Sequence, residues 1–207
     1  MHEQIDHPCV QHKLAIIRDV NTGHKRFREL ATEITKFLCY EALKNIKTKD
    51  VEVQTPLATA SCHKIDTDLV VVPILRAGVG MLEGILELVP TARVGFVGLY
   101  RDEETKQPVS YYERFPPQTQ GGTCIIIDPM LATGGSTVAA VDVLKKAGAG
   151  QIVVICIVTC LEGLSLVEEA HPDVPIYTAS IDERLDDNKY IVPGLGDAGD
   201  RLFGTSH

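Results

Sequence analysis

The residues best suited to chemistry lie in one run, Cys124-Ile125-Ile126-Ile127-Asp128-Pro129-Met130-Leu131-Ala132-Thr133-Gly134-Gly135-Ser136-Thr137. An apolar stretch of strand type delivers an acidic side chain, Asp128, to its carboxyl end. A short loop of small residues with two adjacent glycines then opens a helix. Such a loop lets the backbone come close to a phosphate, and the first N–H groups of the helix point at it. Thr133, Ser136 and Thr137 add hydroxyl donors. Gly134-Gly135 alone would be an ordinary strand–turn–helix connection, but in the whole string each residue type meets a separate requirement. No lysine follows the glycines at P-loop spacing, and G-x-G-x-x-G is absent.

Three other runs stand out. Arg76 follows Val72-Pro73-Ile74-Leu75 and precedes a glycine turn, Ala77-Gly78-Val79-Gly80. A guanidinium there either caps the sheet as a surface residue or grips a phosphate through two parallel bonds. Arg101 comes directly after Leu99-Tyr100 and opens the charge run Asp102-Glu103-Glu104, which by type is a solvated face. The run Tyr190-Ile191-Val192-Pro193-Gly194-Leu195-Gly196-Asp197-Ala198-Gly199-Asp200 is glycine-rich and by composition a surface loop, too rich in glycine for a helix or strand interior.

These runs need elements to hold them. From residue 24 to 46, Phe27, Leu30, Ile34, Phe37, Leu38 and Ala42 recur at helical period, with Asn21 or Thr22 as candidate caps. Residues 69–75 are nearly all apolar and β-branched, as a strand buried on both faces requires. A helix carrying Met81, Leu82, Ile85 and Leu86 follows and ends before Pro90. Strands are expected at 94–99, 123–127, 152–158 and 174–181, and helices at 136–147 and 162–170. This alternation predicts an α/β fold, a mostly parallel central sheet with helices on both faces, whose ligands sit beyond the carboxyl ends of the strands. Residues 101–122 form a long polar stretch in which Pro108-Val109-Ser110-Tyr111-Tyr112 suits a hairpin arm.

The 207 residues suffice for one domain with a sizeable core. No apolar stretch reaches the length of a membrane span, and the first residues lack the pattern of a signal peptide, so the expected compartment is the cytoplasm. A formal net charge of −8 argues against non-specific nucleic-acid binding. The six cysteines show no CxxC pair and read as free thiols, most of them buried.

The Asp128–Thr137 string resembles the phosphoribosyl-pyrophosphate loop of phosphoribosyltransferases. Pro129 stands where most members carry a second acidic residue, which is similar to the uracil phosphoribosyltransferase family and its Asp-Pro-Met-Leu-Ala-Thr-Gly-Gly-Ser signature. The resemblance extends to Arg76 and its loop, to Arg101, to Tyr190–Thr205, and to His7-Pro8, Val10-Gln11-His12-Lys13-Leu14, Arg18-Asp19 and Phe27-Arg28. It implies transfer of phosphoribose from phosphoribosyl pyrophosphate (PRPP) to uracil. Asp128, Arg76 and Arg101 would be catalytic. PRPP would be bound by Arg76, Arg101, Asp128, Pro129, Met130, Leu131, Ala132, Thr133, Gly134, Gly135, Ser136 and Asp197. Ile191, Gly196, Asp197 and Ala198 would line the uracil pocket, largely through backbone groups. A fixed backbone edge that reads the two carbonyls of uracil leaves cytosine with an unpaired donor, at a cost of about 1–3 kcal/mol.

The resemblance also implies Mg²⁺, held mainly by substrate, a homo-oligomer (dimer or tetramer), and GTP as an effector in some members. It further implies one domain over 1–207, with an N-terminal arm and helix at about 1–48, a β-arm at about 101–122 and a C-terminal base-binding hood at about 182–207. Thr159-Cys160-Leu161 departs from the family's usual Ala-Ala-Pro. An RNA-binding regulator on the same fold would need a basic face and normally keeps an acidic residue at position 129; the net charge of −8 and Pro129 both count against it. A purine-specific enzyme places its base in a different hood from Gly196-Asp197-Ala198.

Overall fold

The computed structural model describes residues 1–101 and 108–205, with Arg101 and Pro108 described by their backbone alone. The chain opens with β1 (His2–Gln4), α1 (Pro8–Arg18), α2 (His24–Ala42) and the hairpin strands β2 (Thr48–Gln54) and β3 (Thr59–Ile65). Next come β4 (Leu69–Leu75), α3 (Val79–Leu88), β5 (Arg93–Val94), β6 (Phe96–Arg101) and β7 (Pro108–Arg114). A 3-10 turn, Pro117–Thr119, leads to β8 (Thr123–Ile127), β9 (Met130–Leu131), α4 (Gly135–Lys146), β10 (Gln151–Cys160) and α5 (Leu161–Ala170). The last elements are β11 (Ile176–Asp182), β12 (Arg184–Leu185), β13 (Ile191–Val192) and α6 (Ala198–Phe203).

The main sheet has the order β1-β11-β10-β8-β4-β6-β7, with β5 added to β4 and β9 to β10. Its strands pair in parallel except β6 with β7, which form an antiparallel hairpin. The β-branched runs alternate between two cores, because successive side chains leave a strand on opposite faces. Val71, Ile125, Ile127, Ile155 and Ile157 pack with residues of α1, α2, α3 and α6. Val70, Val72, Cys124, Ile126, Val154 and Cys156 pack with α4 and α5. The expected parallel sheet, covered on both faces, is therefore what forms.

Several local expectations are corrected. Helix α2 ends at Ala42, and its N-cap is Gly23, which has no capping side chain. Asn21 and Thr22 instead turn back, donating to Asp19 Oδ1 and to the Ile16 carbonyl. The strand expected at 94–99 is two strands, broken at Gly95. The tail read as a loop contains β13 and the helix α6, closed by Gly204 in the left-handed region at φ 69°. The arm expected after β6 is present as β7, while residues 102–107, including the charge run Asp102-Glu103-Glu104, lie outside the described residues. All six cysteines are free. Burial pushes the Cys39 and Cys156 thiols up to about 12 and Cys124 to about 11, which makes them poor nucleophiles. Among the described residues no helix is long and apolar enough to cross a membrane.

Candidate active site

Strand register brings the candidate loops to one end of the sheet. Pro73 of β4 pairs with Ile127 of β8, and Ile127 also pairs with Ile155 of β10. Leu75 pairs with Gly98 of β6, so Arg76 and Asp128, which follow β4 and β8, and Arg101, the last residue of β6, come at the carboxyl ends of neighbouring parallel strands. Gly78, in the turn after Arg76, packs onto β8: a Cβ there would lie 2.4 Å from the Ile127 carbonyl oxygen. That contact seats the Arg76 turn beside Asp128. Arg76 itself is exposed, and the Leu75–Arg76 peptide is cis. The side chain of Arg101 lies outside the described residues.

Asp128 is part-buried, and its carboxylate Oδ1 accepts a long bond from the Met130 N–H at 3.4 Å. Loss of water lifts its carboxyl to about 7, an effect the Met130 bond offsets only in part. Pro129 and Leu131 are buried, so the loop presents backbone there rather than side chain. Helix α4 begins after Gly134 with no side-chain cap and no acidic residue in its first turn, which leaves its leading N–H groups for an anion. Thr137 corrects an expectation: it is buried and belongs to the core side of α4, leaving Thr133 and Ser136 as the hydroxyl donors.

The departure from the family pattern has a structural use. Thr159 Oγ1 donates to the Leu131 carbonyl at 2.8 Å, and Cys160 Sγ donates to the Ala132 carbonyl at 3.3 Å. In a trans peptide the C=O and the following N–H point in opposite directions. Holding these two carbonyls therefore turns the N–H groups of Ala132 and Thr133 away from Thr159 and Cys160. A cavity of about 200 Å³ opens beside the loop, lined by Leu99, Tyr100, Ala132, Thr133, Gly135, Ser136 and Lys189. A larger hollow of about 410 Å³, between Ile5, Phe37, Tyr40 and Leu88, has apolar walls and none of the candidate phosphate-binding residues.

The C-terminal segment is held by two arginines. Arg18, at the end of α1, forms a bidentate pair with Asp182 at 2.6 and 2.7 Å and donates to the Gly194 carbonyl at 2.6 Å. The Gly194 N–H donates to the same Asp182 carboxylate at 2.8 Å, and Ser180 Oγ donates to it at 2.7 Å. Burial raises the Asp182 carboxyl, but the bonds from Arg18 and Ser180 outweigh it, so the group sits below its ordinary value. Arg201 lies over the Phe27 ring at 4.5 Å and donates to the Leu195 carbonyl at 2.8 Å and the Asp19 carbonyl at 2.6 Å. Ile191 and Ala198 are buried in the core, whereas Gly196 is exposed at φ 76°. Asp197 caps α6, its Oδ1 accepting the Asp200 N–H at 2.9 Å. Leu202 of α6 packs on Gly80 at the start of α3, which places this segment beside the Arg76 turn.

Sequence reasoning passed over Lys189, Tyr100 and the pairing of Arg18 with Asp182. Among the described residues no group of three or more His, Cys, Asp or Glu is placed to hold a metal. A single carboxylate beside a phosphate loop fits a hard dication carried largely on substrate oxygens.

The adenine phosphoribosyl transferase of Trypanosoma brucei shares this architecture over 91% of this chain and 86% of its own, with a TM-score of 0.56 at 16% identity. The parallel sheet with helices on both faces is a phosphoribosyltransferase fold. The family model for uracil phosphoribosyltransferase matches residues 4–205. A uracil phosphoribosyltransferase of Dictyoglomus thermophilum is 55% identical over 202 residues, covering 97% of this chain and 98% of the relative. The AQ2163 protein of Aquifex aeolicus superposes with a TM-score of 0.94 at 40% identity, covering 100% of this chain and 99% of that one. The chain belongs to the uracil phosphoribosyltransferase family.

Proposed function

We propose that the protein joins N1 of uracil to C1′ of PRPP, releasing diphosphate and forming UMP. The observation that carries this reading is the junction of Asp128 with the uncapped N-terminus of α4, a carboxylate for the sugar beside an anion site for its 5′-phosphate. Displacement at C1′ builds positive charge on the ribose ring and negative charge on the leaving diphosphate. Asp128 would orient the ribose hydroxyls and face the ring. Arg76 and Arg101 would meet the diphosphate, where a guanidinium stabilises the charge as it develops. The backbone of 129–136 would hold the 5′-phosphate, with Asp197 as a further contact. The backbone edges of Ile191, Gly196, Asp197 and Ala198 would read the base.

Asp128 would be the nearest protein carboxylate to a Mg²⁺ ion held on substrate oxygens. The chemistry such an ion would supply is neutralisation of charge on the diphosphate. The reading takes 1–207 as one domain, with the arm at 101–122 covering the site. A cytoplasmic homo-oligomer, with GTP as effector, follows from the family resemblance.

The test is product formation from PRPP and Mg²⁺ with uracil, adenine, hypoxanthine or orotate supplied separately. UMP from uracil alone is the expected result. Folded protein that makes no nucleotide from any base overturns the reading.

A further inference from the structure

Among the described residues, Lys189 is the one non-glycine with a positive φ, at 68°. A lysine gains nothing locally from that conformation, since its Cβ crowds the backbone and glycine would sit there without strain. The turn around it is nonetheless fixed by four hydrogen bonds to a single residue. Asp186 Oδ1 accepts the N–H groups of Asn188 at 2.9 Å and Tyr190 at 2.8 Å. The Asp186 carbonyl accepts the Lys189 N–H at 3.0 Å, and the Asp186 N–H donates to the Tyr190 carbonyl at 2.8 Å. Strain maintained in this way is a recurrent mark of a residue placed for function.

The place of Lys189 in the fold supports that reading. Lys189 lines the cavity beside the loop after β8 together with Thr133, Gly135 and Ser136. It makes no ion pair among the described residues. Lys189 is close enough to Glu162 to help hold its carboxyl below the ordinary value, but that carboxylate is already engaged by its own backbone N–H and by that of Leu185. The loop carries no lysine of its own, unlike a P-loop, and the chain is acidic overall.

We propose that Lys189 contacts the phosphate group held at the start of α4, as a point charge brought in from the β12–β13 turn. This rests on the phosphoribosyl reading given above. Lysine serves such a role without needing planar bidentate geometry.

Lys189→Gly separates function from architecture, because it relieves the backbone while it removes the cation. The expected result is a thermal midpoint equal to or above that of wild type. Alongside it, KM for PRPP should rise about five- to tenfold, with KM for uracil unchanged and a flatter dependence of the PRPP KM on salt. Lys189→Arg should restore most of the PRPP affinity. A PRPP KM within twofold of wild type, with the same salt dependence, overturns the proposal. Calorimetric binding of ribose 5-phosphate keeps the two hypotheses apart. Wild-type protein that binds it but makes no nucleotide defeats the transfer reaction alone. Lys189→Gly binding it as tightly as wild type defeats the lysine contact.

Discussion

Gly134 and Gly163 meet backbone to backbone: a methyl group on Gly134 would come within 2.7 Å of the Gly163 carbonyl oxygen. From the other side, a methyl on Gly163 would lie 2.4 Å from the Ala132 carbonyl oxygen and 2.5 Å from Leu131 Cδ2. The phosphate loop and the first turn of α5 are therefore in contact with no room for a side chain between them. Gly163→Ala should push the loop outward, costing about 1–3 kcal/mol of stability as overpacking does. KM for PRPP should rise more than KM for uracil in steady-state assays. Unchanged PRPP affinity would show that the loop does not depend on this packing.

Asp128 gives a prediction with a definite sign. Its folded pKa, about 7, lies above its unfolded value near 3.8, so the native state binds the extra proton in between. Stability attributable to this group is therefore greatest in acid, falls as pH rises from about 4 to about 7, and is flat above that, a loss of about 2–4 kcal/mol. Asp128→Asn removes the slope. Urea denaturation should find the variant more stable than wild type at pH 8 and not so at pH 4.5, while kcat falls far more than uracil binding weakens. Near-normal turnover by the variant would defeat the assigned role.

The Arg18–Asp182 pair should matter both to stability and to the base segment. Arg18→Met leaves a buried carboxylate without its partner, a loss of about 3 kcal/mol. Because Asp182 titrates below its ordinary value, its contribution is present at neutral pH and disappears as pH falls through that lower value. Hydrogen exchange should accelerate in residues 191–198 ahead of the rest of the chain, and uracil KM should rise more than PRPP KM. Uniform exchange across the molecule would mean that the pair does not position this segment in particular.

What was legible in the sequence follows from what each element depends on. Strands β4, β8 and β10 are buried on both faces, so their residue types alone mark them, and the loop after β8 needs its glycines and hydroxyls wherever it stands. The β2–β3 hairpin is largely exposed, so neither strand carries a buried stripe to mark it. Helix α6 was hidden because Gly196 and Gly199 dominate the local composition. Its stability comes from the Asp197 cap and from Leu202 packing on Gly80, and the second of these is not a local property. Lys189 was missed because residue type does not report a left-handed backbone. Arg18 was visible as a motif residue, but its role depends on a partner 164 positions away.

That separation has a consequence for the chain as it is made. Arg18 leaves the ribosome early, and at about 5–20 residues per second it waits on the order of ten seconds for Asp182 and Gly194. Strand β1 waits similarly for β11, the strand it pairs with among the described residues. The segment synthesised late thus closes onto the end of the first helix in the same event that completes the segment proposed to read the base. Birth of a nascent chain and birth of its activity are then separate moments, and on the proposed reading a chain stalled before residue 182 carries the loop after β8 but lacks the segment assigned to the base.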